Sequence, residues 1–373
     1  MKIKNIISAL LALVIAFSMA ACNTTGDGEG SSTPESTPSD FESKIPEYDF
    51  MSEDLSKYIT LGQYKGLEIE IDPIYVVTED DVKAQIIIDL VNSKMYDEVK
   101  DRAVTKFDVI NMSFEGFVDG VAFEGGKGDE DMFTVYTGGG FIPGFSDGVI
   151  GAMPGEEIDV SVTFPEDYRE ESLAGKPAVF KVTVNHIYEA KELTDEVAQK
   201  LSGKEDMTAE ALRADYMQKM TESNQTTYDE YKLTLVWKTI FEKSATVIAL
   251  PEDLVDAYYQ QDVDYYKMHA TYYGMSYEDF LEKEVGTTDE EIYEGAYERV
   301  KNEILVYAII KAENVTISED EYNEMLDEWV NDTEYTKEDI LESYTKEELI
   351  DIFTMSKLYD LGVSWQTYID KAE

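Results

Sequence analysis

Leu67-Glu68-Ile69-Glu70-Ile71 alternates apolar and acidic positions, the period-two signature of a half-exposed strand. Thr78-Glu79-Asp80-Asp81 then supplies an N-cap and a first turn of acids, and Val82, Ile86, Leu90 and Met95 give the helix they open its apolar stripe. Between about Thr105 and Ile187 the pattern changes to short strands. Phe107, Val109, Met112 and Phe114 begin it, and Asp119-Gly120 predicts a hairpin turn ahead of Val121 and Phe123. Gly125-Gly126, Gly138-Gly139-Gly140 and Pro154-Gly155 punctuate the segment, while 158–162 and 179–184 alternate cleanly. After Leu193 the helical spacing returns and predicts helices to the C-terminus, with starts at Thr208-Ala209-Glu210 and Ser276-Tyr277-Glu278. Two extended pieces, 247–252 and 315–319, interrupt it. The expected fold class is α+β: a small antiparallel β-domain with a short helix over 105–190, inserted between a strand plus linker helix over 59–104 and a helical region over 191–373.

The start of the chain follows different rules. Lys2 and Lys4 precede an apolar run from Ile6 to Phe17, then Ser18-Met19-Ala20-Ala21-Cys22. Charged, apolar, then small residues is the layout of an export signal, and the run is too short to span a bilayer comfortably. Small residues directly before a lone cysteine resemble the lipobox of bacterial lipoproteins, which implies lipidation (palmitate) at Cys22. The expected location is extracytoplasmic, lipid-anchored to the bacterial cell membrane. Residues 23–40 contain almost nothing apolar and cannot offset their ordering entropy, so 23–58 is expected to be a flexible tether. With one cysteine in 373 residues, no internal disulfide is possible.

A net charge of −48 excludes a sequence-independent grip on nucleic acid, which requires cations to displace counterions. It leaves open whether the acids serve solubility or attract cationic segments of a partner. Gly144-Phe145-Ser146-Asp147-Gly148 matches the G-x-S-x-G of a hydrolase elbow, but Ile142-Pro143 precedes it where a strand is needed. His186 and His269 are the chain's two histidines, and neither has a neighbour at metal-ligand spacing. No cofactor and no metal are expected.

The informative stretch is Thr137–Phe164, with Gly138-Gly139-Gly140-Phe141-Ile142-Pro143-Gly144-Phe145 at its head. It resembles the core of FKBP-type prolyl isomerases. Phe114-Glu115-Gly116, Phe123-Glu124-Gly125-Gly126 and Phe164-Pro165-Glu166-Asp167-Tyr168 extend the match and resemble the trigger factor branch of that family. The resemblance implies that Phe114, Phe123, Phe133, Phe145 and Phe180 line a pocket for proline. Phe141 and Ile142 would stand at its rim, where the Ile142 N–H meets a substrate carbonyl, and Tyr168 would offer a hydroxyl at the mouth. Glu124 would polarise the amide or pair locally. From composition alone, the same phenylalanines suit a plain β-domain core better than a pocket; the motif resemblance reverses that preference. The ribosome-docking segment of that branch has no counterpart here; the signal, Cys22 and the tether stand in its place, so ribosome docking is not expected.

The implied function is a peptidyl-prolyl cis-trans isomerase and folding chaperone acting on unfolded or nascent exported polypeptides that contain X-Pro bonds. Two alternatives stay open: a holdase with a vestigial isomerase domain, and a solute-binding or adhesion lipoprotein. In the helical region Tyr258-Tyr259, Tyr265-Tyr266 and Tyr272-Tyr273 recur near Met268 and Met275. Such side chains suit varied clients, or half of each pair packs inward.

Overall fold

The computed structural model describes residues 45–333 and 335–371. Cys22, the signal-like start and most of the expected tether lie outside them. The described chain divides into two compact units: Tyr75–Gln225, and one assembled from the segments on either side of it.

The first unit begins with helix α1 (Glu79–Asn92). Thr78 and Asp81 form the capping box its sequence promises. Strands β3 (Tyr96–Val99), β4 (Val109–Val118), β5 (Val121–Thr134), β6 (Glu157–Thr163) and β7 (Pro177–Ala190) follow, with a short helix α2 (Phe145–Val149) before β6. They form one antiparallel sheet in the order β3-β7-β4-β5, with β6 also paired to β7. β7 is its spine: Ala178, Phe180, Val182 and Val184 alternate into the core, as a strand covered on one face must. The β4–β5 turn has φ of 52° at Asp119 and 77° at Gly120, so both central residues are left-handed, as a type I′ hairpin demands. Helix α3 (Asp195–Ser202) and the first part of the 35-residue α4 (Ala209–Lys243) pack with α1 through Val82, Ile86 and Leu90. The unit thus combines the β-domain with α1, α3 and the first part of α4.

The second unit contains the rest of α4 and helices α5 (Glu252–Tyr273), α6 (Tyr277–Phe280), α7 (Asp289–Glu313), α8 (Glu319–Asp332), α9 (Lys337–Ser343) and α10 (Lys346–Ser364). Thr288/Glu291, Ser318/Glu321, Thr336/Asp339 and Thr345/Glu348 close capping boxes at four of their starts. Trp237, fully buried, lies at the centre, and its indole N–H donates to the Tyr359 carbonyl at 3.2 Å. Gly362 lets α10 approach, since a Cβ there would meet the indole at 2.7 Å.

Three expectations need correction. The tether does not reach residue 58. Phe50 is 2% exposed, stacked on Tyr48 and packed against Tyr307, because 45–58 carries enough apolar surface to offset its ordering. The chain does not stay helical to its end: β9 (Thr367–Asp370) pairs in parallel with β2 (Glu68–Ile71). A second pair joins β1 (Ile59–Leu61) to β8 (Ala245–Val247). Finally, Tyr96–Val99 extends the sheet rather than the linker helix. Among the described residues, no helix is long and apolar enough to cross a membrane.

Candidate active site

The loop between β5 and α2 is built by backbone constraints. Gly138, Gly139 and Gly140 have φ of 77°, 51° and 81°, a run of left-handed residues that a chain with side chains would resist. Ile142-Pro143-Gly144-Phe145 closes a type II turn, with Phe145 N–H donating to the Ile142 carbonyl at 3.2 Å and Gly144 at φ 91°. That turn starts α2 and drives Phe145 into the core, where it is fully buried. A turn stands where a hydrolase elbow has a strand. His186 instead packs edge-on against Tyr188, with ring centroids 4.6 Å apart.

Around Phe145 the sheet delivers a set of aromatic rings. Phe133 and Phe180 meet it edge-on at 5.4 Å each. Phe114 lies 6.4 Å away, and Phe141 stacks on it at 4.1 Å. Edge-to-face and offset contacts of this kind are favourable beyond the area they bury. Phe133, Phe145 and Phe180 are buried, while Phe114, Phe123, Phe141, Ile142 and Tyr168 are half-buried around them. The result is a closed floor under an accessible rim.

Phe123 is held by a pair of glycines. A Cβ at Gly116 would sit 2.7 Å from its ring, and a Cβ at Gly126 would sit 2.6 Å from it. The F-E-G and F-E-G-G pieces of the sequence thus form a slot for one ring. Phe164 joins the set as well: 3% exposed, it bridges Phe123 at 5.6 Å and Tyr168 at 4.6 Å. Its role was legible in the period-two run Val160, Val162, Phe164, all of which face inward.

The structure therefore brings together Phe114, Phe123, Phe133, Phe141, Ile142, Phe145, Tyr168 and Phe180. Phe141 is not merely at the rim, because its ring also meets Phe114 at 4.9 Å and Phe133 at 5.3 Å. Glu124 is exposed beside Phe123, outside the aromatic cluster. Within the described residues the Ile142 N–H donates to no backbone carbonyl, while its neighbour Phe141 N–H closes on Gly138 at 2.9 Å. Among the described residues, no group of three or more His, Cys, Asp or Glu is placed to hold a metal ion.

Residues 100–185, which carry this box, match the family model for FKBP-type peptidyl-prolyl cis-trans isomerase, and residues 208–361 match the bacterial trigger factor C-terminus. The chain is a trigger factor-like protein with an FKBP-type isomerase domain. It is 36% identical over 276 residues to the trigger factor of Lachnoclostridium phytofermentans, covering 72% of this chain and 63% of that one. With trigger factor from Streptococcus pyogenes the identity is 34% over 286 residues, covering 74% and 65%. The chain thus spans somewhat less than two thirds of the length of these trigger factors. A solved structure of the trigger factor chaperone aligns over 82% of this chain and 72% of its own at 15% identity, with a TM-score of 0.36, too loose for any inference about shape.

Proposed function

We propose that this trigger factor-like chain catalyses cis-trans exchange of X-Pro bonds and assists the folding of exported polypeptides at the outer face of the cell membrane. The observation that carries the isomerase part is the buried aromatic floor next to the Ile142 N–H, which among the described residues donates to no backbone carbonyl. Rotation about an X-Pro amide is slow because resonance holds it planar, and uncatalysed exchange takes tens of seconds or more. Resonance also makes the planar amide more polar than the twisted one. A pocket floored by Phe133, Phe145 and Phe180 removes the water that favours the planar form, and so binds the twisted amide better than either ground state. The Ile142 N–H would hold the carbonyl of a neighbouring residue and fix the peptide while the amide turns. No nucleophile or metal is needed for that step.

The chaperone part rests on the helical unit. Tyr258 and Tyr266 pack inward, but Tyr265, Tyr272 and Tyr273 are exposed by 51%, 73% and 58%. Aromatic surface of this kind suits transient contact with unfolded chains. Export and anchoring rest on the residue pattern ending at Cys22. Replacing Cys22 with Ala should move the protein from the membrane to the soluble fraction, and an unchanged distribution would remove the anchor from this proposal. For the enzyme, cis-trans exchange of a short X-Pro peptide should be accelerated by the soluble chain from residue 45. A rate equal to the uncatalysed one would leave the holdase reading, which the exposed tyrosines favour independently. Suppression of client aggregation by the chain would then separate a holdase from neither activity.

A further inference from the structure

Phe141 stacks face to face on Phe145, with centroids 4.1 Å apart and planes 25° from parallel. It also meets Phe114 at 4.9 Å, Phe133 at 5.3 Å and Phe180 at 6.4 Å. These four rings are the floor and walls on which a bound proline would rest. A proline ring and a phenyl ring cannot both cover the same face of Phe145. Phe141 is nevertheless only half-buried, so part of its ring faces solvent.

The chain leading to it is suited to motion. Gly138, Gly139 and Gly140 are all left-handed, and a Cβ at Gly140 would meet nothing within 4 Å. The segment is pinned by Gly138 N–H to Thr134 O at 3.1 Å and by the Phe141 N–H turn bond at 2.9 Å. Rotation about the glycines, with loss of that one turn bond, would lift the ring without requiring Phe133, Phe145 or Phe180 to move.

We propose that Phe141 is an internal occupant of the proline seat, which must swing out before an X-Pro segment can enter, and that it thereby sets the affinity threshold for substrates. The proposal rests on the isomerase reading above. When the open form is a minor population, apparent affinity falls by the fraction that is open, so a minor state of about 10% or less costs a factor of about ten or more.

The test titrates the chain from residue 45 with a tetrapeptide holding a central Leu-Pro bond, following both affinity and exchange rate by NMR. Phe141→Ala is expected to tighten binding about tenfold, while Phe145→Ala, which removes the floor, weakens it. Gly140→Ala strains the seated backbone at φ 81° without touching a wall, and should tighten binding more modestly. Weaker binding by Phe141→Ala, in step with Phe145→Ala, makes Phe141 a wall and overturns the proposal while leaving the isomerase reading intact. Wild type and all variants failing to bind peptide or accelerate exchange would end the isomerase reading and this proposal together. Should Phe141→Ala lose hydrogen-exchange protection in β7, Gly140→Ala decides, and unchanged or weaker binding there overturns the proposal.

Discussion

Replacing Gly116 with Ala tests whether the glycine slot seats the ring of Phe123. Gly116 is buried on β4, directly opposite Phe180 on β7. The added methyl would lie 2.7 Å from Phe123 Cε1 and Cζ and 2.7 Å from Phe180 Cε1. Carbon atoms in good contact are about 3.5–4.0 Å apart, so two rings must each retreat by roughly an ångström. Phe180 is 5% exposed and blocked by Phe145, which leaves Phe123 to move, and Gly126 closes its other side. Overpacking of this sort costs about 1–3 kcal/mol. Alanine recovers about 0.5–1 kcal/mol over glycine in a strand, so the net loss should lie between about 0 and about 2.5 kcal/mol. Trp237, Trp329 and Trp365 all lie outside Tyr75–Gln225, so their fluorescence does not report on this unit. Hydrogen exchange read by mass spectrometry on β4 and β7 peptides does. In a Phe123→Ala background one of the two crowded rings is gone, and Gly116→Ala should cost at least about 1 kcal/mol less than it does alone. Additive effects, within about 0.3–0.5 kcal/mol, would refute the slot.

Further outcomes follow from other contacts. Gly362→Ala should lower the urea midpoint followed by Trp fluorescence, by about 1–3 kcal/mol of overpacking less about 1 kcal/mol of helix propensity, because the methyl meets the Trp237 indole at 2.7 Å. Ser318→Ala should cost about 1 kcal/mol in the same assay, through loss of the cap on α8. Burial alone would raise the Asp81 pKa, but hydrogen bonds from Thr78, Tyr75 and Tyr136 outweigh it and hold the carboxyl at about 2. An unfolded aspartate titrates near about 3.9, so this contribution is complete above that pH and disappears as the pH falls through about 2. Hydrogen exchange of α1 between pH 5 and pH 2 should therefore lose protection in wild type, and Asp81→Asn should flatten that dependence.

What the sequence made legible was local. Thr78, Thr288, Ser318, Thr336 and Thr345 each stand three residues before an acid, and each caps a helix. Asp119-Gly120 and the alternation along β7 needed only their neighbours to be interpreted. The β2–β9 pair escaped because its strands are short and its partner residues lie far apart, as at Ile69 and Tyr368. Phe50 escaped because Glu47, Asp49, Glu53 and Asp54 surround it with a polar composition that masks a buried ring. In the site, the rings named from the motif resemblance share one cluster, but no spacing rule says that Phe141 should lie on Phe145. Glu124 is exposed next to half-buried Phe123, as expected where neighbours along a strand point to opposite faces.

The parallel pairing of Glu68–Ile71 with Thr367–Asp370 has a consequence for how the molecule is born. A chain made from its N-terminus must hold Ile69 and Ile71 without their strand partners until residues 367–370 have been translated. Residues 75–225 contain all the partners of their own sheet and can mature while the remainder is still emerging. Closing so long a loop is slow, and for that interval the early strand is an unmatched edge in need of protection from its neighbours.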